Sequence, residues 1–501
     1  GVFVWMFGIL KIGLYQLILI LFFIQFGIYL RGMKTLYKFY LILLFPISAS
    51  AQINTFYSVE NHTLFNDYSD SIISFNSDKS QYFNVDPRLF SVVSSSKSDY
   101  ARTYLFGASL FSNVNNKITL TSHFDYLAGN HNTSIKEYQD SLLAFPRFGK
   151  VKGRLQYNLK YFVNKFITVD LGKGKHFIGN GYRSMMLSSA HSPYPYLKLT
   201  TKFGRIKYYN LYTTFLDIQD LAQNRKKHSS IHFLDFCLTE NLNIGIFEGV
   251  LWQAKDKNYN RGFDFEYLNP IIFYRPVEFS KHSPDNVLMG VNVNAKLKKT
   301  TLYGQLLLDD LNISRQKDRD EDYAGGFFQN KFAYQFGFKS SFKDVNFLLE
   351  YNQAQPYTYA HKEPMQSYTH FNQALAHPLG ANFKELVALA YYSKEKWKFS
   401  IKLTQAKAGL DSLYTHYGQN IFASDFDAQG EGDEYSYGNF NGQGVATQIS
   451  TLHTEVTYSF NRFDLFGSVF YKNKKSDLLV QNSLWYSVGI RTFLFSTFQD
   501  Y

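Results

Sequence analysis

The sequence predicts an all-β chain, a transmembrane antiparallel β-barrel of 16–18 strands with short helical or loop plug segments. Three observations carry that prediction: a period of two in apolar and polar residues, an excess of aromatic residues, and the character of the two ends of the chain.

The period of two is clearest in 154–163. Leu155, Tyr157, Leu159, Tyr161 and Val163 fall on one face of a strand, and Arg154, Gln156, Asn158 and Lys160 on the other. In 397–404, Trp397, Phe399, Ile401 and Leu403 oppose Lys398, Ser400, Lys402 and Thr404. In 345–352, Val345, Phe347, Leu349 and Tyr351 oppose Asn346, Leu348, Glu350 and Asn352, and in 484–494 Leu484, Tyr486, Val488, Ile490 and Leu494 oppose Ser487, Gly489 and Arg491. Such a strand puts its apolar face in lipid and its polar face in a lumen. Tyr157, Phe399 and Ile401 are therefore expected to touch lipid, and Lys160, Lys402 and Arg491 to face inward.

Seventeen segments read this way: 102–113, 115–127, 152–163, 165–174, 196–203, 205–218, 229–238, 241–253, 287–298, 300–310, 328–341, 343–353, 384–394, 396–408, 449–460, 462–472 and 482–495. Barrels made from one bacterial chain favour even numbers, and a further strand is expected near 88–96. Short turns such as Asn113-Val114-Asn115, Asn164 and Asn461-Arg462 alternate with long connections at 128–151, 175–195, 254–286, 311–327, 354–383 and 409–448. Short turns at one end and long loops at the other are the pattern of an outer-membrane barrel. A two-sheet sandwich would rarely need so many long strands.

The aromatic excess fits the same picture. The chain holds 49 Phe, 39 Tyr and 4 Trp, residues that favour strands and form girdles at both membrane interfaces. Mean hydropathy is −0.25, and no apolar run after residue 51 is long enough for a membrane helix, which needs about 20 residues. A barrel escapes that test because lipid-facing and lumen-facing residues average out.

At the N-terminal end, Met33 to Lys38 is basic, Phe39 to Ile47 apolar, and Ser48-Ala49-Ser50-Ala51 small, with Ala49 and Ala51 spaced as a cleavage site. This is the three-part pattern of a secretory signal peptide spanning 33–51. Residues 1–32 are then expected to be upstream translation, although Phe7 to Leu30 alone would suit a membrane helix. The mature chain is expected to start at Gln52, with a polar N-terminal segment over 52–100 and the barrel over 101–501. Gln52 in place of a cysteine rules out a lipid anchor there, and Cys237, the one cysteine, can form no internal disulfide. The far end, Gly489 to Tyr501, is a strand running to an aromatic residue, similar to the assembly signal of bacterial outer-membrane proteins.

Net charge is +11, of which Lys11, Arg31, Lys34 and Lys38 contribute four, leaving +7 for 52–501. With no dense Lys/Arg cluster, nucleic acid is not an expected partner. Acidic polysaccharide and anionic headgroups suit the charge better.

Three loops carry candidate chemistry. Gly172 to Ser184 is glycine-rich but is not a phosphate loop and lies in no βαβ unit, so its glycines are expected to allow a tight re-entrant turn. Asp264 to Glu278 mixes carboxylates, Arg275 and aromatics, which suits either sugar contact or a salt-bridged plug. Tyr357 to Phe383 carries His361, His370 and His377, whose spacing matches no metal motif, and the acidic run Asp425 to Glu434 departs from calcium-loop spacing. No cofactor or metal is expected. There is no G-x-S-x-G or H-E-x-x-H, and a binding protein rather than an enzyme is expected. Candidate ligand or plug residues are Lys175, His176, Asn180, Tyr182, Arg183, Asp264, Glu266, Asn269, Tyr274, Arg275 and Glu278. The loops 175–195, 254–286 and 354–383 are expected to fold into the mouth, with Asp264, Glu266 and Arg275 paired there.

Several stretches resemble the Wzi family of capsule-assembly outer-membrane proteins: Gly174 to Ser188, His191 to Pro195, Glu266 to Pro270 and Phe273 to Pro276. Leu375 to Phe383 and Gly489 to Thr492 look like the branch that includes the gliding-motility surface protein RemB. The resemblance covers most of 88–501. It implies an outer-membrane barrel of about 18 strands, helical segments at 134–145 and 263–278, and surface polysaccharide or gliding or secretion machinery as partners beside the membrane lipid. It transfers no individual sugar contact. A porin-like diffusion channel is the first alternative, and a barrel hydrolase the second.

Overall fold

The structure is a computed structural model that describes residues 73–75, 81–97, 99–130, 147–148, 151–218, 225–255, 260–270, 285–310, 326–412, 415–427, 437–478 and 480–492. Eighteen long antiparallel strands close on themselves. They are β1 (Gln81–Ser95), β2 (Tyr100–Val114), β3 (Ile118–Asn130), β4 (Val151–Phe162), β5 (Ile167–Gly174) and β6 (Tyr194–Phe203). β7 (Ile206–Asp217), β8 (Arg225–Thr239), β9 (Leu242–Gln253), β10 (Asn286–Leu297), β11 (Thr300–Asp310) and β12 (Lys331–Phe342) follow. β13 (Val345–Ala354), β14 (Phe383–Lys394), β15 (Trp397–Leu410), β16 (Val445–Ser459), β17 (Asp464–Ser476) and β18 (Val480–Arg491) complete the wall.

The eighteenth strand is β1, which was expected near 88–96 and begins at Gln81. Without it the barrel could not close. β1 pairs with β2 along its whole length, and its Phe90–Ser95 half pairs with β18, with Phe90 opposite Arg491. Closure matters because hydrocarbon offers no partner to an open edge. Pro87 sits in β1 below the stretch paired with β18, where its missing N–H breaks no ladder bond. There Thr492 Oγ1 donates to Pro87 O at 3.0 Å and accepts from Leu89 N at 3.0 Å.

The turns explain the tight hairpins. Asn115 and Asn116 both hold positive φ, at 53° and 55°, the pattern of a two-residue turn that matches strand twist. Every second connection is this short, and the long ones gather at the other end.

Facing follows the alternation read from the sequence. Tyr157, Phe399 and Ile401 are each about two-fifths exposed on the outer face (40%, 41% and 39%). Inside, Lys160 lies 3.7 Å from Asp170, Lys402 Nζ donates to Tyr182 Oη at 3.1 Å, and Arg491 pairs with Glu455 at 2.7 Å. Beside the seam, Asp125 on β3 takes Arg88 of β1 at 2.7 Å and Arg154 of β4 at 2.8 Å. These inward charges thus find partners across one or two strands of the wall or, for Lys402, on the β5–β6 loop.

Of the expected helical segments, 134–145 lies outside the described residues. The described part of 263–278 is a single 3-10 turn, Phe265–Leu268.

Candidate functional site: a loop-filled lumen and its cap

The connection between β5 and β6 turns inward and is held by two carboxylates on the wall. Glu350 of β13 accepts from Tyr182 N at 2.7 Å, Arg183 N at 3.0 Å, Tyr303 Oη at 2.8 Å and Asn352 Nδ2 at 2.9 Å. Glu385 of β14 accepts from Arg183 through Nη2 at 3.0 Å and Nε at 3.3 Å, from Asn352 Nδ2 at 3.0 Å, and bonds His377 Nε2 at 2.6 Å. Asn352 and Glu385 are direct cross-strand neighbours. Both carboxylates are buried, so the donors must come from protein, and they do. Saturated acceptors of this kind fasten a loop.

The glycines make this approach possible. A Cβ on Gly181 would lie 2.1 Å from Glu350 Oε2 and 2.8 Å from the Tyr303 ring. Gly179 has φ +143° and packs against the Gln305 amide. Gln305 also accepts from Met185 N at 2.8 Å, and Gln335 donates to Arg183 O at 2.9 Å. Behind them Met185, Met186 and Leu187 are fully buried in the main apolar cluster.

The connection between β13 and β14 fills the lumen from the same end. Tyr359 Oη donates to Met185 O at 2.8 Å, and Ser188 N donates to Leu375 O at 2.8 Å, so the two loops hold each other. Lys227 of β8 donates to Ser367 O at 2.6 Å and Thr369 Oγ1 at 2.8 Å. The three histidines of this loop are spread apart in their bonding. His377 joins Glu385, His370 Nδ1 accepts from Leu216 N at 3.0 Å, and His361 Nδ1 accepts from Glu363 N at 3.1 Å.

A cap lies over these loops. Lys331, at the start of β12, reaches Asp425 at 2.9 Å, Ala360 O at 3.0 Å and Asp309 at 3.8 Å. Asn382 donates to Gly409 O, Tyr417 O and Gln443 O and accepts from Gly442 N, tying the inner loop to the chain between β15 and β16. Asp411 accepts from Tyr417 N at 2.5 Å and Asn420 N at 2.8 Å and bonds His416 at 3.1 Å. Burial alone would raise the Asp411 carboxyl, but the His416 and backbone N–H bonds hold it below its ordinary value. On the outside of the cap, Phe426 and Phe440 are more than half exposed (52% and 63%). The Phe426 ring touches Phe328 at 5.5 Å and carries Lys362 Nζ at 5.2 Å, with Phe327 against Tyr437 at 5.2 Å. Aromatic faces interleaved with Lys362, Glu363 and Asn439 give this surface the composition of a binding site.

The described part of the third loop goes elsewhere, which corrects the expectation that 254–286 fills the mouth. Tyr267 packs with its ring tilted against Trp252 of β9 at 4.7 Å, and Phe263 meets Trp252 at 5.4 Å and His228 of β8 at 5.3 Å. Trp252 alternates with Leu251 and Phe247, whose side chains face the lumen cluster, so 260–270 lies on the outer side of the wall. Tyr212, outward on β7, confirms this by donating to Leu268 O at 2.9 Å. Arg261 clamps the segment, with Asp264 at 2.7 Å and Asp285 at 2.8 Å.

Among the candidates, Lys175, His176, Asn180, Tyr182 and Arg183 therefore gather inside. Lys175 donates to Ser189 O at 3.1 Å, His176 packs edge-on against Tyr196 at 4.3 Å, and Asn180 accepts from Asn292 and Lys339. Asp264, Glu266 and Asn269 sit in the outer segment, where Asp264 caps the 3-10 turn and pairs with Arg261. Tyr274, Arg275 and Glu278 lie outside the described residues, and with them the proposed Arg275 pairing. Sequence reading missed Glu385, Gln305 and Tyr303. The signal was available in part, since alternation already put Glu350 and Asn352 on the lumen face.

No family model matches this sequence, and no curated protein does. Solved structures do match. Wzi of Escherichia coli, described as an outer-membrane protein involved in group 1 capsule assembly and a carbohydrate-binding β-barrel, aligns with a TM-score of 0.53 at 14% identity, over 82% of this chain and 85% of its own. The likeness is one of fold. The Pseudomonas aeruginosa proteins OpdK (TM-score 0.47, 9% identity, 82% of this chain, 97% of that) and OprD (0.45, 11%, 83% and 96%) are also similar barrels.

Proposed function

We propose that this chain is an outer-membrane surface protein that binds rather than conducts or reacts, acting in attachment or assembly of surface polysaccharide or in a gliding-associated surface role. The carrying observation is the lumen. Two loops are fastened to inward wall residues through Arg183, Glu385, His377 and Glu350, and their outer side presents the aromatic cap. Filling the bore costs a diffusion channel its purpose, whereas a rigid cap suits a binding surface. Aromatic rings cover sugar faces and nearby polar groups fix hydroxyls.

A glycan array probed with purified protein tests this reading. Binding of acidic polysaccharides, reduced at least tenfold by Phe426→Ala with Phe440→Ala, supports it. No glycan bound, together with porin-like conductance, would leave the channel as the better account.

A further inference from the structure

The outer wall carries a second charged feature, unrelated to the plug. Lys384 of β14 lies directly opposite Lys407 of β15, Lys407 opposite Gln448 of β16, and Gln448 opposite Lys475 of β17. All four are exposed. All four belong to the outward face, because Glu385, Ala406, Ile449 and Phe470 on the same strands are the buried, inward set. Like charges directly across a ladder repel. Yet no ion pair joins Lys384, Lys407 or Lys475 to a carboxylate among the described residues. The row lines a cleft of about 430 Å³ with Asn441, Ser476 and Asp477, the last being the one carboxylate among its described lining residues.

Height decides the partner. The outward residues of β15 run Trp397, Phe399, Ile401, Leu403, then Gln405 and Lys407; those of β17 run Leu465, Gly467, Val469, Tyr471, then Asn473 and Lys475. Both switch from apolar to polar at one level, with the lysine two residues further toward the long-loop end. Ten residues from Trp397 to Lys407, at about 3.3 Å each and tilted by about 40°, span roughly 25 Å, the height of a lipid belt. The lysines therefore stand where phosphate-bearing headgroups of that leaflet lie.

We propose that Lys384, Lys407 and Lys475 form a binding site for the phosphate groups of an anionic membrane lipid in the leaflet at the long-loop end. The site relieves the cross-strand repulsion, and Gln448 and Ser476 supply hydrogen bonds between the charges. It is independent of any glycan bound by the cap.

The test uses the full mature chain in phosphatidylcholine nanodiscs, titrated with diphosphorylated lipid A and with its dephosphorylated, acyl-matched counterpart, and read by native mass spectrometry. The phosphorylated lipid should be retained at least tenfold better. Changing lysines to Gln should weaken that retention about fivefold for each one removed. A triple Lys→Arg variant should keep it, and Lys298→Gln with Lys299→Gln at the opposite rim should change nothing. Heat-modifiable migration on gels reports that each variant is folded. Equal retention of the two lipids, or full retention by the folded triple Gln variant, would overturn the proposal. Displacement by millimolar inorganic phosphate alone would overturn the lipid as its source.

Discussion

The connection 175–193 and the segment 260–270 both mix glycine, aromatic and charged residues, and they end on opposite sides of one wall. The first docks on Glu350, Gln335 and Gln305, all inward positions. The second docks on Trp252, His228 and Tyr212, all outward ones. What separates them is the parity of the wall residues they meet. Buried polar inward residues such as Glu350 and Glu385 need donors and acceptors from the chain, because burial denies them water. A large outward aromatic at the rim needs only an apolar cover. The composition of a loop does not say which side it takes; the wall does.

Breaking the inner fastening should have the largest effect. Arg183→Ala leaves Glu385 buried with His377 and Asn352 as its remaining side-chain donors, and loss of a buried ion-pair partner costs about 3–5 kcal/mol. Urea unfolding in detergent should show that loss, and limited proteolysis should newly cut within 176–190. An unchanged midpoint would mean the loop is held by packing alone.

A smaller effect is expected outside. Tyr267→Phe removes the 2.7 Å hydrogen bond to Asp285 but leaves the ring on Trp252, a loss of about 1 kcal/mol. Hydrogen exchange should quicken in 261–269 and stay constant in 176–190. Coupled changes in both would contradict two independent dockings.

The smallest concerns the cap. The carboxyl of Asp411 is depressed in the folded state, so its stabilisation is complete above the unfolded value of about 3.9 and fades as pH falls through the lower folded value. The protection of the Tyr417 and Asn420 amides relative to their intrinsic exchange rate should fall on acidification below about pH 4, and Asp411→Asn should abolish that dependence.

The barrel was legible because its rule is local. Alternation over ten residues fixes which face is wet, and it gave the facing of Tyr157, Lys160, Phe399 and Lys402 without any tertiary information. β1 was seen only in outline, because Asp86, Pro87 and Arg88 interrupt its pattern and become reasonable only once Asp125 and Thr492 are beside them. The plug was half legible. Gly179 and Gly181 marked a close approach, but what they approach, Glu350, lies 169 residues beyond Gly181 in the chain. Long-range partners of that sort leave no mark in local spacing, and neither does the outward turn of 260–270.

Acting as a plug, the loops between β5 and β6 and between β13 and β14 are expected to keep the bore from conducting. Planar-bilayer recording tests it most directly, on the intact protein and on deletions of 177–191 and of 263–269. Little current is expected from the intact barrel, large steps once 177–191 is gone, and little current when 263–269 is removed from the outer wall. Steady porin-like conductance from the intact protein would contradict it.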